Sequence, residues 1–164
     1  MDKSVENLKE AFAGESQANR RYLAFADKAE QEGYSQIARL FRAAAAAETV
    51  HAHNHLKVLK GVKTTTENLQ EAVAGETSEF REMYPRMIAA AQAEAHKDAE
   101  RTFAFANEVE KTHAALFQKA LKNMADKTKV DYYVCSICGH TVAGEPPDTC
   151  PVCKAVKKFF NRVD

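Results

Sequence analysis

The sequence predicts a mainly α-helical protein, with a four-helix bundle followed by a small cysteine-rich domain that binds a metal ion. Two observations predict it. The first 125 or so residues carry apolar side chains at helical spacing and repeat internally, whereas all four cysteines lie between positions 135 and 153. Three of the four prolines also follow residue 130. We therefore place the domain boundary after residue 128, with residues 1–128 forming the helical domain and residues 129–164 the metal-binding domain.

Apolar spacing and terminal signals define four helices. The predicted ranges are roughly 4–32, 35–60, 66–94 and 97–125. Gly33 and Gly61 mark the ends of the first two helices, and Thr64 with Glu67 predicts a capping box at the start of the third. Pro85 lies inside the third predicted helix, where it removes one backbone hydrogen bond and predicts a kink. A kink at this position is compatible both with a purely structural role and with shaping a nearby site.

The second half of the helical domain repeats the first half. NLKEAFAGESQANRRY at 7–22 aligns with NLQEAVAGETSEFREMY at 68–84, so that the two Ala-Gly-Glu segments are 61 positions apart. ETVH at 48–51 aligns with EKTH at 110–113, at an offset of 62. This repetition predicts two similar helical hairpins related by a pseudo-twofold axis.

The repeat also distinguishes among the histidines of the second helix. His51 repeats as His113, whereas His53 and His55 are replaced in the second copy by alanine and phenylalanine. On a helix, residues three apart share a face and residues two apart do not, so His53 points away from His51. His51 is therefore the candidate site residue, and His55 is a candidate supporting or packing residue.

Each repeat places carboxylates and one imidazole at the same level of an otherwise apolar helix stripe. The residues are Glu15, Glu48 and His51 in the first repeat and Glu76, Glu110 and His113 in the second. Buried carboxylates at one level repel each other unless cations lie between them, and the stripes carry no matching set of lysines or arginines. Carboxylate and imidazole ligands suit iron or manganese, with zinc possible. A single Glu-x-x-His pair is weak evidence, but the duplicated set predicts a two-metal site.

Glu79 is an additional carboxylate that the duplication does not require. It follows Glu76 by one helical turn, whereas the first repeat has Ala18 at the matching position. Glu79 is therefore either a further metal ligand or a solvated residue in the charged run that includes Arg81 and Glu82.

The four cysteines form two Cys-x-x-Cys knuckles. They are Cys135 and Cys138 in CSIC, and Cys150 and Cys153 in CPVC. This spacing predicts a tetrahedral four-thiolate site, which both iron and zinc accept, so a structural zinc ion remains an alternative. The apolar cover that a small knuckle domain needs is predicted to come from four aromatic residues: Tyr132, Tyr133, Phe159 and Phe160.

Charge and hydropathy exclude several classes of function. Lys plus Arg and Asp plus Glu are both 23, and a net charge of zero argues against nucleic-acid binding by phosphate neutralisation. No apolar run approaches the length that spans a bilayer, and the polar start MDKSVENLKEAF has no signal-peptide core. We therefore expect a cytoplasmic protein without nucleic-acid or membrane partners. In that reducing compartment the cysteines are expected to bind metal rather than form disulfides.

Taken together, these motifs resemble the rubrerythrin family over essentially the whole chain. The resemblance rests on FAGESQANRRY and ETVH in the first half of the helical domain and on AGETSEFREMYP and EKTH in the second half. The tail YYVCSICGHTVAGEPPDTCPVCKAVKKFF resembles the rubredoxin-like domain of that family, although Lys154 replaces a frequent glycine and the loop is shorter than in free-standing rubredoxins. The resemblance implies a ferritin-like di-iron bundle followed by a β-rich rubredoxin-like domain.

The resemblance also implies roles for individual residues. The di-iron ligands would be Glu15, Glu48, His51, Glu76, Glu79, Glu110 and His113, and the third iron would be held by Cys135, Cys138, Cys150 and Cys153. One iron would move between Glu79 and His51 as the redox state changes. Tyr22 and Tyr84 would act near the centre as hydrogen-bond donors.

The implied activity is that of a peroxidase in oxidative-stress defence, which reduces hydrogen peroxide to water. Electrons would pass through the four-thiolate iron from a donor protein, a rubredoxin or a reductase, and ultimately from NAD(P)H. The resemblance further implies a homodimer in which one subunit's tail approaches the di-iron site of the other. Two alternatives remain: a ferroxidase or iron-handling protein, and a non-enzymatic metal-binding protein with structural zinc in its tail.

Overall fold

A computed structural model describes residues 2–163 and confirms the mainly α class. The helices are followed by a small antiparallel sheet that carries the cysteines. The chain divides into two compact units, Met1–Lys63 and Thr64–Asp164. Within residues 2–163 no helix combines the length and the apolar character needed to span a membrane.

The first unit is a hairpin of two helices, α1 (Lys3–Gln31) and α2 (Ser35–Val58). Small buried residues line the seam between the helices, and they are Ala26, Ala29, Ala38, Ala45 and Ala52. Asn19 reinforces this seam, because its Nδ2 donates to the Ala45 carbonyl at 2.7 Å and to Thr49 Oγ1 at 2.9 Å. The turn after α1 contains Gly33 at φ +83°, as the predicted helix end requires.

The end of α2 differs in detail from the prediction. Lys60, not Gly61, adopts the left-handed conformation, with φ +54°. The Gly61 N–H donates to the Leu56 carbonyl at 2.9 Å, which closes the helix end. A Cβ atom on Gly61 would lie 2.3 Å from Leu56 Cδ1, so close approach rather than backbone handedness favours glycine at this position.

The second unit begins with three α-helices and one π-helical segment. They are α3 (Thr65–Ser78), the π segment (Glu79–Met83), α4 (Tyr84–Ala93) and α5 (Lys97–Lys122). The predicted capping box of Thr64 and Glu67 is present at the start of α3. The turn before α5 contains Ala95 at φ +56°, so alanine takes a left-handed conformation where the sequence has neither glycine nor proline.

The third predicted helix is thus interrupted by the π segment rather than merely kinked at Pro85. In this segment the Tyr84 N–H donates to the Glu79 carbonyl, one residue farther back than in an α-helix. The repeat explains the extra residue. Glu15 precedes Tyr22 by seven positions, whereas Glu76 precedes Tyr84 by eight, so the π segment accommodates a one-residue insertion in the second copy.

The tail forms a three-stranded antiparallel sheet of β1 (Tyr132–Cys135), β2 (Thr141–Ala143) and β3 (Phe160–Val163), in the order β2-β1-β3. Its core contains the buried Cys135, Cys150 and Phe160, against which Tyr133 and Phe159 pack. Tyr132 is 43% exposed, so the prediction that it covers the site is wrong. Alternation along β1 explains this, since Tyr132 and Tyr133 point to opposite faces.

Residues 123–131, between α5 and β1, form no helix or strand. The predicted domain boundary after residue 128 falls within this segment and stays a prediction.

Replacing Thr64 with alanine removes the side-chain half of the α3 capping box. We expect Thr64→Ala to lower the free energy of unfolding of the full chain by about 1 kcal/mol, because the Glu67 N–H loses its acceptor. Urea denaturation followed by far-ultraviolet circular dichroism measures the change. Thr64→Ser retains the hydroxyl and should stay close to the original stability. Equal losses in the two variants would show that the cap is not the source of stability.

Candidate metal centres

The first hairpin brings three predicted ligands together. Glu15 comes from α1 and Glu48 and His51 from α2, and their ligand atoms all lie within 4.8 Å of one another. His51 Nδ1 lies 2.8 Å from Glu48 Oε2, and 54% of the histidine side chain is exposed. We call these residues the α1–α2 triad.

The second unit repeats this arrangement with Glu76 on α3 and Glu110 and His113 on α5. We call these residues the α3–α5 triad. His113 Nδ1 lies 2.8 Å from Glu110 Oε2 and 3.8 Å from Glu76 Oε1. The His113 side chain is only 27% exposed, half as much as that of His51.

Helix geometry explains why both triads form. A glutamate and a histidine three positions apart share one helix face, and the neighbouring helix supplies the remaining carboxylate at the same level. His53 points elsewhere and is exposed, and His55 is half-buried one turn beyond His51. Among residues 2–163 neither His53 nor His55 belongs to a group of potential metal ligands.

The α3–α5 triad concentrates negative charge. The pKa of Glu76 is raised to about 7, chiefly by burial, then by the hydrogen bond and charge of Glu110 and by the charge of Glu79. Burial also raises the pKa of Glu79, with a smaller contribution from Glu110 that His113 opposes. The nearby carboxylates thus disfavour ionisation of Glu76 when no cation lies between them.

The hydrogen bonds around His113 test whether a metal ion fits this triad. His113 Nε2 lies 2.9 Å from Thr141 Oγ1, and the hydroxyl hydrogen of Thr141 is donated to the Gly139 carbonyl at 3.1 Å. The hydroxyl therefore accepts from His113, which places a hydrogen on Nε2. Nδ1 is then free to direct its lone pair towards the carboxylates of Glu76 and Glu110, so the donor set fits a divalent or trivalent cation.

Three other predicted site residues, Glu79, Tyr84 and Tyr22, belong to neither triad. Glu79 is half-buried at the start of the π segment, and its side chain has no hydrogen-bond partner among residues 2–163. Burial raises the pKa of Tyr84, and the carboxylates of Glu110, Glu79 and Glu76 raise it further, which places this phenol near the α3–α5 triad. Tyr22 packs its ring 6.1 Å from Phe41 and makes no hydrogen bond to the residues that the structure describes. Their proposed roles stay predictions.

The four cysteines form the predicted cluster in the tail. Cys135 Sγ lies 3.7 Å from Cys153 Sγ, and Cys138 Sγ lies 3.6 Å from Cys150 Sγ. In a tetrahedral site with metal–sulfur bonds of about 2.3 Å, sulfur atoms lie about 3.8 Å apart. The separations fit such a site and are far too long for disulfides.

Backbone geometry at the two knuckles supports thiolates. Burial raises the pKa of Cys138, and the His140 N–H opposes that shift by pointing at its sulfur. For Cys150, burial raises the pKa, but the N–H groups of Val152 and Cys153 help to bring it below its ordinary value. These N–H groups are placed to stabilise negative charge on sulfur when a metal ion binds.

The residue after each knuckle adopts a left-handed conformation. Gly139 has φ +83° after Cys138, and Lys154 has φ +65° after Cys153. Lys154 therefore fills the position where the resemblance led us to expect glycine, and its Nζ donates to the Pro151 carbonyl at 2.9 Å. The substitution preserves the knuckle.

Sequence reasoning did not identify Thr141 as a site residue. Its contact with His113 depends on the packing of the tail against α5, for which no spacing pattern gives a signal. The contact lies within one chain, whereas the resemblance implied that the tail approaches the di-iron site of another subunit.

Comparison with known proteins identifies the family of both parts of the chain. The family model described as rubrerythrin matches residues 6–121, and the model described as the rubredoxin-like domain of rubrerythrin matches residues 133–161. Rubrerythrin-2 of Clostridium acetobutylicum is 38% identical, over 96% of this chain and 95% of that protein. Nigerythrin of Nitratidesulfovibrio vulgaris is 34% identical, over 96% of this chain and 85% of that protein.

The fold agrees with solved structures as well. A structure of nigerythrin in its fully reduced, all-ferrous state superposes with a TM-score of 0.61 at 33% identity, covering 99% of this chain and 88% of that one. A mixed-valence structure of nigerythrin gives a TM-score of 0.60 at 34% identity, with the same coverage.

The raised pKa of Glu76 predicts how the stability of the metal-free protein depends on pH. Folding disfavours ionisation of Glu76 between its ordinary pKa of 4.5 and its folded value of about 7. The contribution of neutral Glu76 to the free energy of unfolding is therefore fully present below pH 4.5 and is lost as the pH rises through about 7. We expect Glu76→Gln to flatten this decline and to raise the urea midpoint above that of the original protein at neutral pH.

Urea titrations of the metal-free full chain at several pH values measure this effect. Glu82→Gln is the matched control, because Glu82 is an exposed glutamate in the π segment that directly follows α3. A pH profile of Glu76→Gln identical to that of the original protein would contradict the assignment.

Proposed function

The chain belongs to the rubrerythrin family, and we propose that it is a peroxidase that reduces hydrogen peroxide to water at a non-haem di-iron centre. Proteins of this family are in general oxidoreductases of oxidative-stress defence. One observation carries the proposal: two carboxylate–histidine triads and a four-thiolate site occur in the same chain. An iron-storage protein needs no fused four-thiolate site, whereas an enzyme that receives electrons singly does.

The proposed ligands of the di-iron centre are the two triads together with Glu79. The triad residues are Glu15, Glu48, His51, Glu76, Glu110 and His113, and the four cysteines would hold the third iron. When bound, the iron pair supplies the two electrons that convert hydrogen peroxide and two protons into two water molecules.

We further propose that Glu79 and His51 are alternative ligands to one of the irons. Both side chains are free of the restraints that hold His113. His51 is 54% exposed and has no partner for Nε2 among residues 2–163, and the Glu79 carboxylate makes no hydrogen bond there. The π segment that begins at Glu79 supports this role, because π turns are less regular than α turns and frequently lie at functional sites.

The proposed partners follow from the proposed peroxidase function. A donor protein, either a rubredoxin or a reductase linked to NAD(P)H, would reduce the four-thiolate iron. We also propose a homodimer, since α2 exposes apolar side chains in the single chain: Ile37, Leu40 and Val50. A cytoplasmic location is part of the proposal, because reducing conditions keep the cysteines available as thiolates.

Stopped-flow mixing of anaerobically reduced, iron-loaded protein with hydrogen peroxide tests the function. The visible absorption of the ferric four-thiolate site reports electron flow from the tail. We expect rapid return of this colour with peroxide and slow return with air-saturated buffer. Rapid oxygen consumption with uptake of additional iron would instead indicate a ferroxidase, and a colourless tail would indicate structural zinc.

Glu79→Ala tests the contribution of the additional carboxylate. We expect peroxide turnover to fall by about 10-fold or more, because one iron loses a ligand, while the absorption of the tail iron stays unchanged. Steady-state peroxide consumption and visible spectra measure both properties. Glu82→Ala changes an exposed glutamate of the same π segment and should retain turnover. Unchanged turnover in Glu79→Ala would remove this residue from the proposed site.

A further inference from the structure

We propose that Thr141 is a positioning residue that fixes the imidazole of His113 and connects the four-thiolate site to the α3–α5 triad of the same chain. Thr141 lies at the start of β2, directly after the first cysteine knuckle, and pairs with Val134 of β1. The sheet therefore holds its backbone in place. The electronic part of this inference rests on the proposed peroxidase function, whereas the positioning part does not.

The hydroxyl of Thr141 makes two hydrogen bonds with different roles. It accepts from His113 Nε2 at 2.9 Å and donates to the Gly139 carbonyl at 3.1 Å. Serine can reproduce this pair of bonds, whereas valine, which has nearly the same shape, can make neither. The contact thus selects the histidine tautomer whose Nδ1 faces Glu110 and Glu76.

Packing holds the knuckle against α5. A Cβ built on Gly139 would lie 3.8 Å from Cγ1 of Val109, which is buried on α5 one turn before His113. Gly139 also has φ +83°, so a larger residue at this position would be strained. The Thr141 hydroxyl is therefore presented to His113 by a loop whose own conformation is fixed by the cysteine knuckle.

The two triads differ in this respect. His113 Nε2 is held by Thr141 Oγ1 at 2.9 Å, while its Nδ1 lies 2.8 Å from Glu110 Oε2 on the ligand side of the ring. His51 is held by Glu48 at Nδ1, and among residues 2–163 its Nε2 has no partner. The tail therefore restrains the histidine of the α3–α5 triad through Nε2, a restraint that His51 lacks among residues 2–163.

The same contacts connect the two metal sites. Covalent bonds lead from Cys138 to the Gly139 carbonyl, and hydrogen bonds continue through Thr141 to His113. With iron held by the four cysteines and by His113, this route would carry one electron at a time from the first site to the second. The electron lost at the four-thiolate site would equal the electron gained beside His113, so charge and electron number would balance.

Nitrogen NMR of the zinc-loaded full chain tests the positioning role without any redox chemistry. Zinc serves as a diamagnetic probe in all metal sites. We expect the Nε2 hydrogen of His113 to exchange slowly with solvent in the original protein and in Thr141→Ser. In Thr141→Val its exchange should be at least about 10-fold faster, with about 10-fold weaker zinc binding at the triad.

Thr149→Val is the matched control for these variants. Thr149 is an exposed threonine of the same tail, and its side chain makes no hydrogen bond to the residues that the structure describes. Retention of the four-thiolate absorption in the iron-loaded variants shows that the tail is folded. Unchanged exchange and zinc affinity in Thr141→Val, or a Thr141→Ser variant that behaves like valine, would overturn the positioning role.

Stopped-flow mixing with peroxide then tests the connection between the sites. We expect Thr141→Val to slow the return of the tail colour by about 10-fold, and Thr141→Ser to restore it. If the original protein shows no return of colour, the proposed function fails. If the original protein and Thr141→Val recolour equally fast, the function stands and the electronic role of Thr141 is wrong.

Discussion

The clustering of carboxylates that cannot neutralise one another is the constraint on which the helical units depend. Glu76 and Glu110 lie close enough for burial and mutual repulsion to bring the pKa of Glu76 to about 7. Protonation relieves this repulsion only in part, and His113 presents a lone pair to the same space. A bound cation removes the repulsion and satisfies all three groups, so the triad is most stable when metal is bound.

The one-residue insertion in the second repeat shows how a duplicated scaffold acquires a difference between its halves. Both copies retain the Glu and the Glu-x-x-His elements, so both keep a triad. The extra residue is confined to the π segment, which carries Glu79 and ends just before Tyr84. Pro85, which has no N–H to donate, is accommodated directly after this wider turn. The symmetry of the ligand sets is therefore broken without loss of either set.

The tail contributes rigidity as well as a metal site. Its two knuckles share the same backbone conformation, with Gly139 and Lys154 at equivalent left-handed positions. The first knuckle and the strand that follows it meet α5, through Gly139 and Thr141. Backbone N–H groups that point at the cysteine sulfurs restrain the loop that presents Thr141 to His113.

The sequence by itself determined the helical class, the duplication, both triads and the cysteine cluster, because each depends on local spacing. Residues three apart share a helix face, and Cys-x-x-Cys knuckles need only a short turn. The sequence also contained a signal for the π segment, because the offset between the repeats changes from 61 to 62 across it.

Only the tertiary structure decided the contact between Thr141 and His113, the half-exposed position of Tyr132 and the left-handed conformation of Lys60. These features arise from the packing of segments that are distant in sequence, or from a helix end closing on a particular side chain. Such contacts follow from distance in space, which no periodicity along the chain encodes.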